Sequence, residues 1–285
     1  MDNNVVQRFL FEDLDIRGRL VVLQGAWREM LAGRRYSPDV VGLLGHTTAL
    51  AVLLGAHRKD TARLTLQVQG SGPVRLLVAD CDPELRIRGM AQVDPDAPEG
   101  SARALLGDGR LALTLEDARS GQLYQSLVPL EGEMMAEIFA HYLAQSEQRD
   151  AALQLHADTQ SLSGLMLEKL PGADARDPDG WARITQLAAT LRPGEASTLS
   201  PQDLLTRLFP DELLRVYPQD EVRYHCPYDP SKVEDMLRSL GRAEVDGILA
   251  EHGEVVIRNE ICNHVYRFDG DAVAALFARP AAPGR

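Results

Sequence analysis

Residues 40–57, VVGLLGHTTALAVLLGAH, are the stretch that most limits how this chain can fold. The run approaches the length of a membrane span, but His46, Thr47, Thr48 and three glycines interrupt it. Ser37 followed by Pro38 reads as an N-cap and a first-turn proline. A buried core helix is therefore expected, not a span. The N-terminal MDNNVVQRFLFEDLDIRGR has no basic start, apolar h-region or small-residue cleavage site, so no secretory signal is read there and a cytoplasmic location is expected.

From Arg63 to Leu130 the pattern changes. RLTLQVQG, PVRLLVAD, LRIRGMAQV, RLALTLED and LYQSLVPLEG are short alternating or apolar runs, separated by turn signals such as Gly70-Ser71-Gly72-Pro73 and Asp108-Gly109. This predicts an antiparallel meander with one buried face. The Gly-rich QGSGP links two strand patterns and opens no helix, so it reads as a hairpin turn, not a phosphate cradle. Helical spacing of Met135, Ile138, Phe139, Tyr142 and Leu143 predicts a helix over 133–148, and AALQLHAD and SGLMLEKLPG predict two more strands. The fold class is α+β: an N-terminal mixed or antiparallel sheet packed with helices in residues 1–172, a helical linker in 173–220, and a small α+β module in 221–285. The linker starts in the Pro, Gly and Asp-rich PGADARDPDG and holds two amphipathic patterns, WARITQLAATL and SPQDLLTRLF, the second capped by Ser200 and Pro201.

The C-terminal module carries two of the three cysteines, Cys226 and Cys262, around two helical patterns and a hairpin, with FARPAAPGR as a frayed tail. Its layout is that of a zinc module, but it contains neither C-x-C nor C-x-x-C. Three outcomes stay open. His225, Asp229, His252 and His264 are near enough in sequence to complete a mixed zinc site with the two thiolates, although the spacing matches no common zinc pattern. A Cys226–Cys262 disulfide is the second outcome. In the third, Tyr228 and Ile261 join the faces formed by Val233, Met236, Leu237 and Leu240 and by Val245, Ile248 and Leu249 in a small apolar core, with the histidines as surface or capping groups. Cys81, ending a strand pattern, is expected to be a buried small hydrophobe.

A formal net charge of −12 repels phosphate backbones and anionic headgroups, so neither nucleic acid nor a membrane is an expected partner. Three cysteines in a chain of 285 residues make no secreted disulfide framework and fit a reducing compartment. No Walker loop, G-x-G-x-x-G, H-E-x-x-H or G-x-S-x-G is present, and a thiol next to its own histidine in sequence rarely forms a nucleophile-base pair. The chain is not expected to be an enzyme.

Taken in order, RFLFEDLDIRG (Arg8 to Gly18), LQVQGSGPVRLLVAD (Leu66 to Asp80), RGMAQV, AQSEQ, YPQDEVRYHC, MLRSLGRAEVDGILAEHGEVVI and CNHVYRFD resemble the thirty-three-kilodalton heat-shock protein family, redox-regulated chaperones of the bacterial cytoplasm. The resemblance implies an ATP-independent holdase that binds unfolding client proteins through apolar surface, often as a homodimer when active. It also implies a curved sheet with helices, a helical linker and a zinc-binding C-terminal module. Oxidation in that family expels zinc, joins the thiols within each close pair, and unfolds the module with its linker. Here Cys226 matches the first cysteine of one pair and Cys262 the last of the other, while Tyr228 and Asn259 stand where their mates would be. Within-pair disulfides cannot form, leaving only a Cys226–Cys262 bridge. The expectation is a chaperone gated by heat or by unfolding of a marginally stable module, with weak or absent zinc and thiol control and client surface on the sheet face and the helices from Trp181 to Phe209. The alternative is a thiol oxidoreductase or peroxide-consuming protein that uses Cys226 and Cys262.

Overall fold

The computed structural model describes residues 3–56, 61–146 and 150–278. Two strands lead the chain, β1 (Asn4–Phe11) and β2 (Ile16–Leu23), followed by α1 (Gly25–Leu31) and α2 (Pro38–Gly55). The apolar run thus becomes α2, which starts where expected: the Ser37 side chain accepts the Val40 N–H at 3.5 Å and Pro38 occupies the first turn. His57, at the end of the predicted stretch, lies outside the described residues. Most of α2 is buried within the protein, including Thr47 and Thr48. Their hydroxyls donate to the carbonyls of Leu43 and Leu44 at 2.8 and 2.7 Å, so no polar group is stranded by that burial.

Next come β3 (Thr61–Gly70), β4 (Val74–Cys81), β5 (Arg86–Val93), α3 (Ala102–Leu106), β6 (Gly109–Asp117), β7 (Leu123–Pro129), α4 (Met135–Ser146), β8 (Ala151–Ala157) and β9 (Leu162–Lys169). The helices α5 (Ala173–Arg176), α6 (Gly180–Ala188), α7 (Glu195–Thr198) and α8 (Pro201–Leu208) precede the short strands β10 (Leu214–Val216), β11 (Asp220–Glu221) and β12 (Arg223–Tyr224). Two six-stranded sheets result, not one. The first has the order β10-β1-β2-β9-β8, with β11 also on β1, and the second β12-β5-β4-β3-β6-β7. Pairing is antiparallel throughout except where β12 joins β5.

The region from Arg63 to Leu130 is not the simple meander that its strand patterns predict. β3, β4 and β5 follow one another, but β6 pairs with β3 and not with β5. The loop around α3 carries the chain back: Ser71 and Gly72 donate their N–H groups to the carbonyls of Asp108 and Leu106, at 3.0 and 2.9 Å. A Cβ on Gly72 would meet the Leu105 carbonyl oxygen at 2.5 Å, so QGSGP needs glycine for this close approach.

α2 packs on β3, β4 and β5 of the second sheet and on β2, β8 and β9 of the first, and this sandwich is the main core. The opposite face of the first sheet is covered by the α5–α8 segment. Ile184, Leu204, Leu205 and Phe209 are buried there against Phe9, Phe11, Ile16 and Leu165. Phe209 meets Phe11 edge-on at 4.9 Å between ring centres. In the helix predicted over 133–148, all five spaced apolar residues are buried, and its last residues lie outside the described part of the chain.

Charge is also buried here. Glu168 on β9 takes both the Nε and a terminal N–H of Arg17, at 2.9 and 2.7 Å, and lies 3.1 Å from Arg19. Arg19 in turn donates to the Leu53 carbonyl at 3.0 Å, placing a cation at the C-terminal end of α2 where the helix dipole favours it. Along α2, a cleft of about 780 Å³ opens between it, α4 and β8, with His46 and His156 in its wall. Burial first, and His156 second, lowers the pKa of His46 from 6.5 to about 4. Burial lowers His156 as well, and its Nε2 has no hydrogen-bond partner.

By contact pattern the chain divides into two units, Met1–His225 and Cys226–Arg285. The second consists of α9 (Pro230–Leu240), α10 (Arg242–His252), β13 (Val255–Asn259), β14 (His264–Phe268) and α11 (Gly270–Ala278). Gly241 (φ 91°) breaks the first helix pair and Gly253 (φ 77°) ends the second helix, both in a conformation that favours glycine. Phe277 and Ala278, expected in the frayed tail, belong to α11, whose start is capped by the Asp269 carboxylate on the Ala272 N–H at 2.8 Å. Residues 279–285 lie outside the described part of the chain.

Two expected outcomes follow. Glu168→Ala takes the carboxylate away from the buried Arg19 and the partly exposed Arg17 and should cost about 3–5 kcal/mol of stability, read as a lower urea midpoint; a loss under about 1 kcal/mol would contradict this role for the triad. His46 is neutral in the fold down to about pH 4, whereas the unfolded chain takes up a proton near 6.5. Stability should therefore be level above neutral pH and fall between about pH 6.5 and 4, by about 3 kcal/mol for this residue. Thermal melts of the protein and of His46→Gln across that range should show a shallower acid slope in the variant.

Candidate functional site

Residues that bracket the second unit's helices come together at one end of its hairpin. Asp229 and Pro230 start α9, and Asn263, with a left-handed backbone (φ 54°), turns the chain from β13 into β14. Asn259 and His264 face each other in register, and Asn259 Oδ1 accepts the Cys262 N–H at 3.2 Å, which fixes Cys262 in the turn. Cys226 and Cys262 are joined there in a disulfide, with their Cα atoms 5.5 Å apart and a sequence separation of 36. The chain-entropy model gives closure of such a loop roughly 4 kcal/mol of stabilisation.

Tyr228 is not in the core, contrary to the sequence reading. It is 60% exposed and lies flat on the buried Tyr266, with ring centres 4.6 Å apart, and edge-on to His264 at 5.5 Å. The cause is a second tie between the same two segments: the Asp229 N–H donates to the Tyr266 hydroxyl at 3.2 Å, which holds Tyr228 at the rim of the β14 face that His264, Tyr266 and Phe268 share. The core proper is Leu237, Val245, Val255, Tyr266, Phe268, Val273 and Leu276, with Ile261 outside it. Met236 and Leu240, assigned to the buried face of α9, are exposed, because Leu237 with partly buried Val233 is enough to fill the space above the hairpin.

The remaining sequence candidates are dispersed. His225 continues β12, with its N–H on the Ile87 carbonyl at 3.1 Å. The Asp229 carboxylate is held below the usual range, first by the Ser231 hydroxyl at 2.5 Å, with Lys232 3.7 Å away. His252 is exposed beside Glu251, and His264 has its Nδ1 buried without a hydrogen-bond partner. Among the described residues no three His, Cys, Asp or Glu side chains are gathered to hold a metal ion. The donor set does not suit zinc: both thiol sulfurs are bonded to each other, the Asn259 oxygen is engaged by a backbone N–H, and Tyr228 is stacked.

Sequence reasoning missed one surface. The sheet-edge strand β7 exposes Leu123, Tyr124 and Leu127, and Met134 is exposed shortly after it. The signal was present in LYQSLVP, where apolar residues fall on both parities of the strand and so cannot all face one core. The helices from Trp181 to Phe209 do the reverse, turning their apolar side toward the first sheet.

Comparison with known proteins places the whole architecture. The family model described as Hsp33 protein matches residues 4–269. A 33 kDa chaperonin of Chromobacterium violaceum is 37% identical over 274 residues, covering 95% of this chain and 93% of its own length. One from Nitrosococcus oceani is 39% identical over 272 residues, with coverage of 95% and 93%. The crystal structure of the 33 kDa chaperonin of Thermotoga maritima superposes with a TM-score of 0.80 at 20% identity, over 97% of this chain and 98% of that one, and so shares its fold. A family match over nearly the full length, together with relatives above one-third identity, establishes that this chain belongs to the Hsp33 family.

Proposed function

We propose that the protein is an ATP-independent holdase chaperone that binds unfolding client proteins, and that heat or unfolding of the C-terminal unit gates it with weak or absent zinc control. Membership of a family whose relatives are named 33 kDa chaperonin supports the chaperone reading. The observation that carries it to this chain is the apolar patch of Leu123, Tyr124 and Leu127, more than half exposed on a sheet edge that offers unpaired backbone groups to an extended segment.

A larger apolar surface lies under α6–α8. Phe9, Phe11, Ile16 and Leu20 would be uncovered if that segment detached, and β11 and β12 are the chain's path from it to Cys226. Loss of the C-terminal fold would leave the chain beyond β12 without ordered structure. The unit's core of seven buried side chains is small for independent stability, which supports a low threshold. Cytoplasmic residence and dimer formation in the active state belong to the same reading. The thiol-enzyme alternative would act through the same two cysteines.

Under reducing conditions and without ATP, the protein should suppress aggregation of a heat-denatured client at about one chain per client once its C-terminal unit melts. Light scattering checks this; multiple turnover of a thiol or peroxide substrate, with no client protection, would favour the enzyme instead. Replacing Leu123, Tyr124 and Leu127 together by serine should reduce protection several-fold while leaving the thermal midpoint within a few degrees, since surface substitutions cost little.

A further inference from the structure

Resting on the reading that release of the C-terminal unit activates the protein, we infer that the Cys226–Cys262 disulfide is a reducible latch on that unit, opened by a dithiol reductant and closed by oxidation.

The bond ties the segment ahead of α9 to the β13–β14 turn, so α9, α10 and β13 all lie inside the loop it closes. No other covalent choice exists for these sulfurs within the chain. The third cysteine, Cys81, is buried on β4 of the other unit, with its thiol pushed up to about 12, mainly by burial. A small-molecule disulfide that takes two electrons and two protons from the two thiols, and ends as two thiols itself, therefore closes the loop and restricts the unfolded unit. The direction is opposite to the one implied by the family resemblance, where oxidation opens the module.

Access sets the route of reduction. Cys226 is partly exposed, whereas Cys262 is buried in its turn. A thiolate of the reductant attacks the Cys226 sulfur; the new sulfur-sulfur bond forms there as the old one breaks, and Cys262 leaves as a thiolate. The reductant's second thiol then attacks its own sulfur in the mixed disulfide and releases Cys226. Two electrons and two protons pass to the protein, and the dithiol ends as a disulfide. The stack of Tyr228 on Tyr266 and the Asp229 hydrogen bond still join the same segments, so reduction loosens the unit without freeing it. The Tyr228 clasp then becomes the main tie.

The test uses the full chain, oxidised and after treatment with dithiothreitol, with thiols counted in denaturant and the melting of residues 226–278 followed by hydrogen exchange. The count should rise from one to three, since the chain holds three cysteines and one bond. The midpoint of the unit should fall by roughly 15–30 °C. Tyr228→Ala should lower it further, and by a larger shift in the reduced than in the oxidised protein. Cys226→Ser with Cys262→Ser should melt like the reduced protein in either condition. A midpoint unmoved by reduction overturns the latch, whatever a chaperone assay reads. A lowered midpoint with client protection starting at the same temperature supports the latch and overturns the gating reading on which it rests. A lowered midpoint with protection starting at a correspondingly lower temperature supports both.

Discussion

A helix of eighteen residues with apolar side chains on every side has to be surrounded, and α2 is surrounded by two sheets. Much of the first unit follows from that requirement. β3, β4 and β5 supply one wall and β2, β8 and β9 the other, so strands from both ends of the unit must converge on a segment near its start. The Arg17–Glu168–Arg19 group bridges β2 and β9 and reaches a carbonyl of α2 through Arg19. Removing Glu168 would leave the Arg19 charge buried away from water, while Arg17 keeps partial access to it.

Because α2 takes one face of the first sheet, the other face needs a separate cover. The α5–α8 segment provides it with short helices, the longest of nine residues, whose hold depends on what Ile184, Leu204, Leu205 and Phe209 bury. Helices of that length have little stability of their own. They stay in place through packing on the sheet, and the strand pieces β10 and β11 that follow pair along β1. The exposed apolar residues on β7 have a different origin. β7 is the last strand of its sheet, so its backbone edge and part of both faces are left uncovered.

Local features were legible in the sequence wherever the controlling atoms lie within a few residues of one another. Ser37-Pro38 and Ser200-Pro201 each cap the helix they announce, through a hydroxyl that accepts a backbone N–H three residues on. The hairpin turn at QGSGP and the α+β class are of the same kind. Strand order was not legible, because alternation tells which residues face inward and nothing about which strand lies alongside. Nothing near β5 shows that its free edge is taken by Arg223 and Tyr224. The cysteine site falls between these cases. The residues narrowed it to a mixed metal site, a disulfide or an apolar core, and the choice depended on where Tyr228 goes. A tyrosine carries both a ring to bury and a hydroxyl to hydrate, and stacking on Tyr266 satisfies the ring while leaving the hydroxyl to solvent.

A disulfide holds a small fold differently from a structural metal site. A structural zinc contributes on the order of 10 kcal/mol or more through bonds made in the folded state, so its loss is abrupt. The Cys226–Cys262 bond contributes roughly 4 kcal/mol, chiefly by narrowing the unfolded ensemble, and adds few contacts to the folded one. The unit runs from Cys226 to Arg285, and at a typical enthalpy per residue its unfolding would absorb only about 40 kcal/mol. Such a transition is broad in temperature. On the proposed gating, release would spread over many degrees, whereas a metal-held fold opens when the metal leaves, and closing or opening one sulfur-sulfur bond would move the transition along the temperature axis.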